Sequence, residues 1–239
     1  MRTIFWFASF WIYTVFTLFY IPRVKRLIKK GLITEKRQFA HRVAGKWAKT
    51  MVSLTGGTVE VIGLENIPQD GAVLFASNHQ GNFDIPLLLS SISKPIGFVA
   101  KVELERLPFI NTWMKLLECV FIDRKDMRQS LRTISTATEI LKSGQSMVIF
   151  PEGTRSKGKE MQPFKPGSLR LAQKAGTPVV PVTISGSYRL MEGNNNRIKP
   201  AHVKIIFAPP VDPQAIDKAS DLTVTVFDII EDNLTKHPS

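Results

Sequence analysis

The sequence predicts an α/β fold, a mixed central sheet flanked by helices, with two further helices at the N-terminus. Three observations carry that prediction. Short apolar runs alternate with helical segments through residues 55–239, which is the pattern of a layered α/β domain. From Thr3 to Pro22 no residue is charged, and nine of the twenty-two aromatics fall in that stretch. The basic excess also sits beside it. Residues 1–50 hold eleven Lys and Arg against one acid, Glu35, while the rest of the chain holds twenty-one against nineteen.

Taken in order, the first element is the uncharged helix. Its length reaches the ~17–25 residues that a membrane span needs, and its many Phe, Trp and Tyr equally suit the headgroup boundary. No small-residue cleavage site follows, since Leu18 to Arg23 is bulky throughout, so a signal peptide is disfavoured. Spanning and lying in the interface both stay open. Arg23, Lys25, Arg26, Lys29 and Lys30 come next and would hold that end on the cytoplasmic side. An amphipathic helix is predicted from Glu35 to Leu54, with Phe39, Val43, Trp47 and Met51 on one face. It reads either as a surface helix packed on a core or as a second membrane-interface helix, and its neighbour favours the second. Residues 1–54 are therefore expected to form a membrane-binding element, and residues 55–239 a catalytic domain opened by the break at Thr55-Gly56-Gly57.

Within that domain the strand candidates are 59–62, 72–76, 96–100, 120–122, 147–150, 179–184 and 203–207. The helix candidates are 85–91, 110–117, 128–142, 168–175 and 222–234. No internal repeat or low-complexity tract appears.

Composition excludes several classes of function. A nucleic-acid reader would spread its bases over a folded recognition face. Here they crowd an apolar segment, which suits an anionic phospholipid surface at ~1 kcal/mol per Lys or Arg. The single cysteine, Cys119, excludes an intrachain disulfide and lies in an apolar run, so a buried, inert thiol is expected. The four histidines lack zinc-ligand spacing, and no cofactor or metal requirement is read from the sequence.

Chemistry concentrates at the ends of strand candidates. Asn78-His79-Gln80-Gly81-Asn82-Phe83-Asp84 follows the second strand and precedes a helix with Pro86 in its first turn. On a regular helix His79 and Asp84 would point to different sides. Across a strand–loop–helix turn, with Gly81 permitting an unusual backbone, they can meet. Asp84 would then fix the imidazole tautomer and leave the other nitrogen to take a proton from a substrate hydroxyl. The competing reading is a structural turn. Phe150-Pro151-Glu152-Gly153-Thr154-Arg155-Ser156 also leaves a strand, offering Arg155 as a planar fork for phosphate and a glycine for close approach. Lys165 follows, near a helix start where anions are favoured. Phe121-Ile122-Asp123-Arg124 ends a further strand with a second arginine. In α/β sheets ligands gather outside the carboxyl ends of strands, so these pieces are expected to converge.

These segments, together with Val179-Val180-Pro181-Val182, resemble the four ordered motifs of the glycerolipid acyltransferases. The resemblance covers about Ser77 to Ser185, and it is closest to the bacterial 1-acyl-glycerol-3-phosphate acyltransferases. The family's N-terminal two-helix membrane element is similar to residues 1–54. The resemblance implies His79 as general base, Asp84 as its orienter, and Arg124, Glu152, Gly153, Thr154 and Arg155 as the acceptor site. It implies Lys101 near the reaction centre, assigned to the thioester oxyanion, and Pro181 on the acyl side of the pocket. The acceptor would be lysophosphatidic acid and the donor acyl-ACP or acyl-CoA, at the cytoplasmic face of the cell membrane. Where the family often carries a glycine before its second motif, this chain has Glu118. Three alternatives stand beside this: another lysolipid acceptor, a membrane-bound lipid hydrolase, and a non-catalytic basic adaptor. No Gly-x-Ser-x-Gly elbow supports the hydrolase.

Overall fold

The computed structural model describes residues 1–123 and 126–238. All seven strand candidates form, as β1 (Thr58–Ile62), β2 (Leu74–Ser77), β3 (Ile96–Lys101), β4 (Val120–Ile122), β5 (Ser146–Ile149), β6 (Val179–Ser185) and β7 (His202–Phe207). They build one sheet in the order β1-β7-β6-β2-β5-β3-β4. Every neighbouring pair is parallel except β6–β7, so the sheet is mixed, as the sequence predicts.

Helices cover both faces, and period-2 alternation decides which residues meet which helices. On one face Phe75, Val148, Val180 and Val182 pack with α3 (Ile33–Ser53), α4 (Asp84–Ser91) and α5 (Ile110–Leu116). On the other, Leu74, Met147, Ile149 and Val179 pack with α6 (Met127–Lys142), α7 (Arg170–Ala175) and α8 (Ala219–Lys236). The central strand β2 is buried along its whole length, which explains its unbroken apolar run.

The N-terminal segment is α1 (Arg2–Thr17), a 3-10 turn and α2 (Ile21–Lys29). By length and composition alone, Arg2–Lys29 is apolar enough to cross a membrane. The helix α1 runs antiparallel along α3 and is fastened at successive points. Arg2 Nη1 donates to the Thr55 carbonyl (3.2 Å), Trp6 Nε1 to the Met51 carbonyl (2.8 Å) and Trp47 Nε1 to Thr14 Oγ1 (3.2 Å). Burying the Trp6 ring, which also lies 5.3 Å from the Phe83 ring, contributes roughly 2–3 kcal/mol. The opposite face of α1 leaves Ile4, Phe5, Trp11, Ile12 and Phe16 exposed, as is Phe19 in the 3-10 turn that follows.

The amphipathic helix α3 behaves differently from the favoured expectation. Its apolar face, including Ala40, Val43, Ala44, Ala48 and Met51, is buried in the core with α4. It is a surface helix packed on the domain, because the sheet face beneath it would otherwise lack cover.

The position where the family often has glycine also finds its reason here. Glu118 sits at φ +60°, the left-handed region that glycine adopts without strain. Its carboxylate is held by Lys36 Nζ (2.8 Å) and by Arg37 Nη2 (2.8 Å) and Nε (3.0 Å), tying α3 to the turn before β4. Burial alone would raise this carboxyl's pKa. The two cations outweigh it and hold the group below the usual carboxylate range. The neighbouring Cys119 thiol is buried and accepts from the Phe98 N–H. Burial pushes its pKa up to about 12, which makes it the inert thiol the sequence predicts.

Candidate active site

Because β2, β5, β3 and β4 are adjacent and parallel, and β6 runs parallel to β2, their carboxyl ends share one edge of the sheet. The loops leaving them meet there. The turn after β2 carries His79, and α4 begins at Asp84, whose carboxylate is fully buried. His79 Nδ1 donates to Asp84 Oδ2 at 2.6 Å, and the same oxygen accepts the N–H groups of Gln80 (2.7 Å) and Gly81 (2.9 Å). The other oxygen accepts from Ser187 Oγ. Four donors therefore fix this carboxylate, and it in turn fixes the imidazole tautomer, leaving Nε2 as the free nitrogen. The ring stacks on Phe150 with centroids 4.1 Å apart and planes at 20°.

The loop after β5 supports this turn from the side. Glu152 is buried, and its carboxylate accepts the backbone N–H of His79 (2.6 Å) and of Gln162 (2.9 Å). Burial raises its pKa, and these hydrogen bonds offset the rise only in part. The Ser156 N–H donates to the His79 carbonyl (2.8 Å) and that of Lys157 to the Gln80 carbonyl (3.0 Å). Glu152 is thus a brace behind His79, outside the cavity lining. Gly153, at φ +75°, turns the chain so that it and Thr154 and Arg155 face the cavity.

That cavity, about 470 Å³, is lined by His79, Asn82 and Arg155 together with a largely apolar wall. Val43, Ala44, Leu89, Phe98, Trp113 and Leu117 line it, and Thr14 and Thr17 bring α1 to its side. Lys101 also lines it, at the end of β3, with Nζ 2.9 Å from Glu103 Oε1. Five of the expected site residues, His79, Lys101, Gly153, Thr154 and Arg155, therefore share one cavity, and Asp84 stands directly behind His79.

Other expected residues lie elsewhere. Lys165 is exposed and five residues ahead of α7, outside the cavity lining, while its neighbour Phe164 anchors that segment in the core. Pro181 is buried in β6 opposite Ala76, where its carbonyl accepts from the Ala208 N–H (3.0 Å); it builds the sheet and does not line the pocket. Arg124 falls outside the described residues. Gly81 does not adopt an unusual backbone, because its φ is not positive. It is small for a different reason, since a Cβ there would meet Glu192 Oε2 at 2.6 Å.

Three contributors escape sequence reasoning. Asn78 bridges β2 to β6 by exchanging two hydrogen bonds with the Ile184 main chain, both 2.8 Å. Ser187 caps Asp84 from the segment after β6, and Glu192 accepts the Asn82 N–H at 2.7 Å. Each acts across more than a hundred residues, and no local spacing signals that. Of the other histidines, His41 is buried with Nε2 donating to the Ile92 carbonyl, and burial lowers its pKa. His202 pairs with Glu60 on an exposed edge.

Comparison with known proteins points to one family. A protein described as a probable 1-acyl-sn-glycerol-3-phosphate acyltransferase from Mycoplasma pneumoniae is 35% identical over 67% of this chain and 64% of its own length. A chloroplastic 1-acyl-sn-glycerol-3-phosphate acyltransferase of Brassica napus is 34% identical over 74% of this chain and 51% of its own length. The chain thus matches about half to two thirds of the length of these curated relatives. The crystal structure of the 1-acyl-sn-glycerophosphate (LPA) acyltransferase of Thermotoga maritima superposes with a TM-score of 0.80 at 32% identity, covering 99% of this chain and 97% of that one. The Acyltransferase family model matches residues 58–185, the stretch that carries the His79–Asp84 turn, the Arg155 loop and β6, and the chain belongs to that family.

Proposed function

We propose that this chain transfers a fatty acyl group from an acyl thioester to the free hydroxyl of 1-acyl-glycerol-3-phosphate (lysophosphatidic acid), giving phosphatidic acid. The observation that carries the reading is the His79–Asp84 pair, 2.6 Å apart, with His79 in the lining of a largely apolar cavity of about 470 Å³. A base beside an apolar cavity suits a reaction between a hydroxyl and a long-chain acyl group.

In this mechanism His79 Nε2 takes the hydroxyl proton as the alkoxide oxygen attacks the thioester carbonyl. The tetrahedral intermediate collapses with loss of thiolate, which recovers the proton from the imidazolium. Asp84 stabilises that imidazolium. Lys101 is assigned to the oxyanion and Arg155, with Arg124, to the acceptor phosphate. Acyl-ACP and acyl-CoA present the same thioester, and both fit the scheme.

The membrane is the proposed partner, at its cytoplasmic face. The exposed apolar face of α1 and the basic α2 favour a helix lying in the interface. Fastening of α1 to α3 from Arg2 to Thr14 ties it to the domain along most of its length. This orientation would keep the cavity close to the acyl chains it must receive.

The test is acyl transfer from labelled acyl thioester to lysophosphatidic acid in detergent micelles, comparing wild type with His79→Ala. Phosphatidic acid from wild type and a loss of at least about 100-fold in the mutant are expected. Equal product from both would make His79 a structural turn residue and overturn the mechanism.

A further inference from the structure

One buried carboxylate beside the cavity has no role in the reaction just described. Glu192 lies in the 3-10 turn Glu192–Asn194, and its side chain is 5% exposed. Its Oε1 accepts the Asn82 N–H at 2.7 Å and stands 3.6 Å from Arg155 Nη1, which also donates to Asn82 Oδ1. Its Oε2 has no hydrogen-bonding partner among the described residues. Room for it exists because position 81 is glycine.

A carboxylate taken out of water is costly unless it is paired. Glu192 is only loosely paired, because 3.6 Å is beyond a good hydrogen bond. Arg155 is 38% exposed and lines the cavity, so its guanidinium can turn away from Glu192 with little rearrangement. A phosphate offers that guanidinium a bidentate partner, which Glu192 in its present position does not. The two anions would compete for one cation.

We propose that Glu192 is a positioning residue that holds Arg155 beside the cavity as its counter-anion and yields it to the acceptor phosphate. This rests on the reading of Arg155 as a phosphate ligand. The carboxylate keeps the guanidinium aimed at the site, and its charge weakens the hold on any phosphate bound there. Since the product carries the same phosphate as the acceptor, the device limits how tightly product is retained.

The experiment compares wild type, Glu192→Gln, Glu192→Asp, Arg155→Gln and the double variant Arg155→Gln/Glu192→Gln. It measures KM for lysophosphatidic acid and Ki for inorganic phosphate as a competitor. Glutamine keeps an oxygen for the Asn82 N–H and removes the charge. Glu192→Gln is expected to lower both constants about three- to tenfold, the size of effect that loss of a part-exposed competing charge produces. Glu192→Asp, which retracts the carboxylate, is expected to fall between it and wild type. In the Arg155→Gln background the Glu192 substitution is expected to change nothing. A tightening is a gain that mere structural damage does not give. If Arg155→Gln raises KM while Glu192→Gln leaves both constants within twofold or raises them, the proposal is wrong and the assignment of Arg155 stands. If Arg155→Gln itself leaves KM unchanged, the assignment of Arg155 fails and takes this proposal with it.

Discussion

Replacing Asp84 by asparagine removes one charge and leaves the shape of the side chain intact. With its amide oxygen in the place of Oδ2, asparagine still accepts from His79 Nδ1, Gln80 N and Gly81 N. Its NH₂ then faces Ser187, whose hydroxyl becomes the acceptor. The tautomer of His79 is kept, and what disappears is the anion beside the imidazolium that the proposed mechanism forms. At 2.6 Å and an effective dielectric of about 20, Coulomb attraction gives an upper bound of about 6 kcal/mol. Replacing a charged hydrogen bond by a neutral one costs about 1–2 kcal/mol. An intermediate loss of about 2–4 kcal/mol corresponds to roughly 30- to 1,000-fold in kcat. Asp84→Ala differs in kind, because it strands three N–H donors around a fully buried position at about 1–3 kcal/mol each. A total near 4 kcal/mol would lower Tm by about 8–16 °C for a domain of this size. Acyl transfer in micelles, run beside thermal unfolding, separates the two effects. A kcat for Asp84→Asn within threefold of wild type would refute the claim that His79 gathers positive charge next to this carboxylate. An unchanged Tm for Asp84→Ala would refute the claim that the network braces the turn.

Other outcomes follow from features away from the base. The ion pairs of Glu118 hold its folded pKa down, so the stability they give is complete above the ordinary carboxylate pKa and is lost as pH falls through the depressed value. Plotted against pH, the Tm gap between wild type and Glu118→Gln should therefore close in acid, and a gap that widens there would contradict this. Both Glu118→Ala and Glu118→Gly lose the ion pairs, yet glycine relieves the positive φ, so urea unfolding should find the glycine variant more stable by about 1 kcal/mol. Cys119 should stay unmodified by a thiol reagent at pH 8 in the folded protein and react once urea unfolds it, whereas prompt labelling of the native chain would mean that it is accessible. Changing Arg23, Lys25, Arg26, Lys29 and Lys30 to Gln should weaken flotation with anionic vesicles by up to about 5 kcal/mol at low salt, and unchanged binding would remove the basis for the lipid partner.

The sheet was largely legible because its signals are local. The unbroken apolar run at β2 and the largely apolar run at β6 mark strands covered on both faces, and all seven strand candidates form. His79 and Asp84 were legible for a similar reason, since a strand followed by a helix start defines the turn between them. The sequence favours the membrane for the apolar face of α3 because an apolar stripe flanked by Lys and Arg looks the same whether it covers a bilayer or a sheet. Only the position of α4 beneath Ala40, Val43 and Ala44 distinguishes the two. The family resemblance points Glu152 at the acceptor, yet its carboxylate turns inward to two main-chain N–H groups. Ser187 and Glu192 carried no signal, because what they do depends on the chain returning to the β2 edge after β6.

The hydrogen bonds that hold the His79 turn also bear on how the molecule assembles. Asp84 meets Ser187 across 103 residues and His79 meets Glu152 across 73, and Asn78 reaches Ile184 across 106. Bringing such distant segments together is the slow part of folding a parallel sheet. A chain that has formed its helices and its first strands still lacks a properly held imidazole. Recovery of activity during refolding should therefore trail the recovery of helical signal and coincide with closure of β6 onto β2, so that turnover reports the last step of folding.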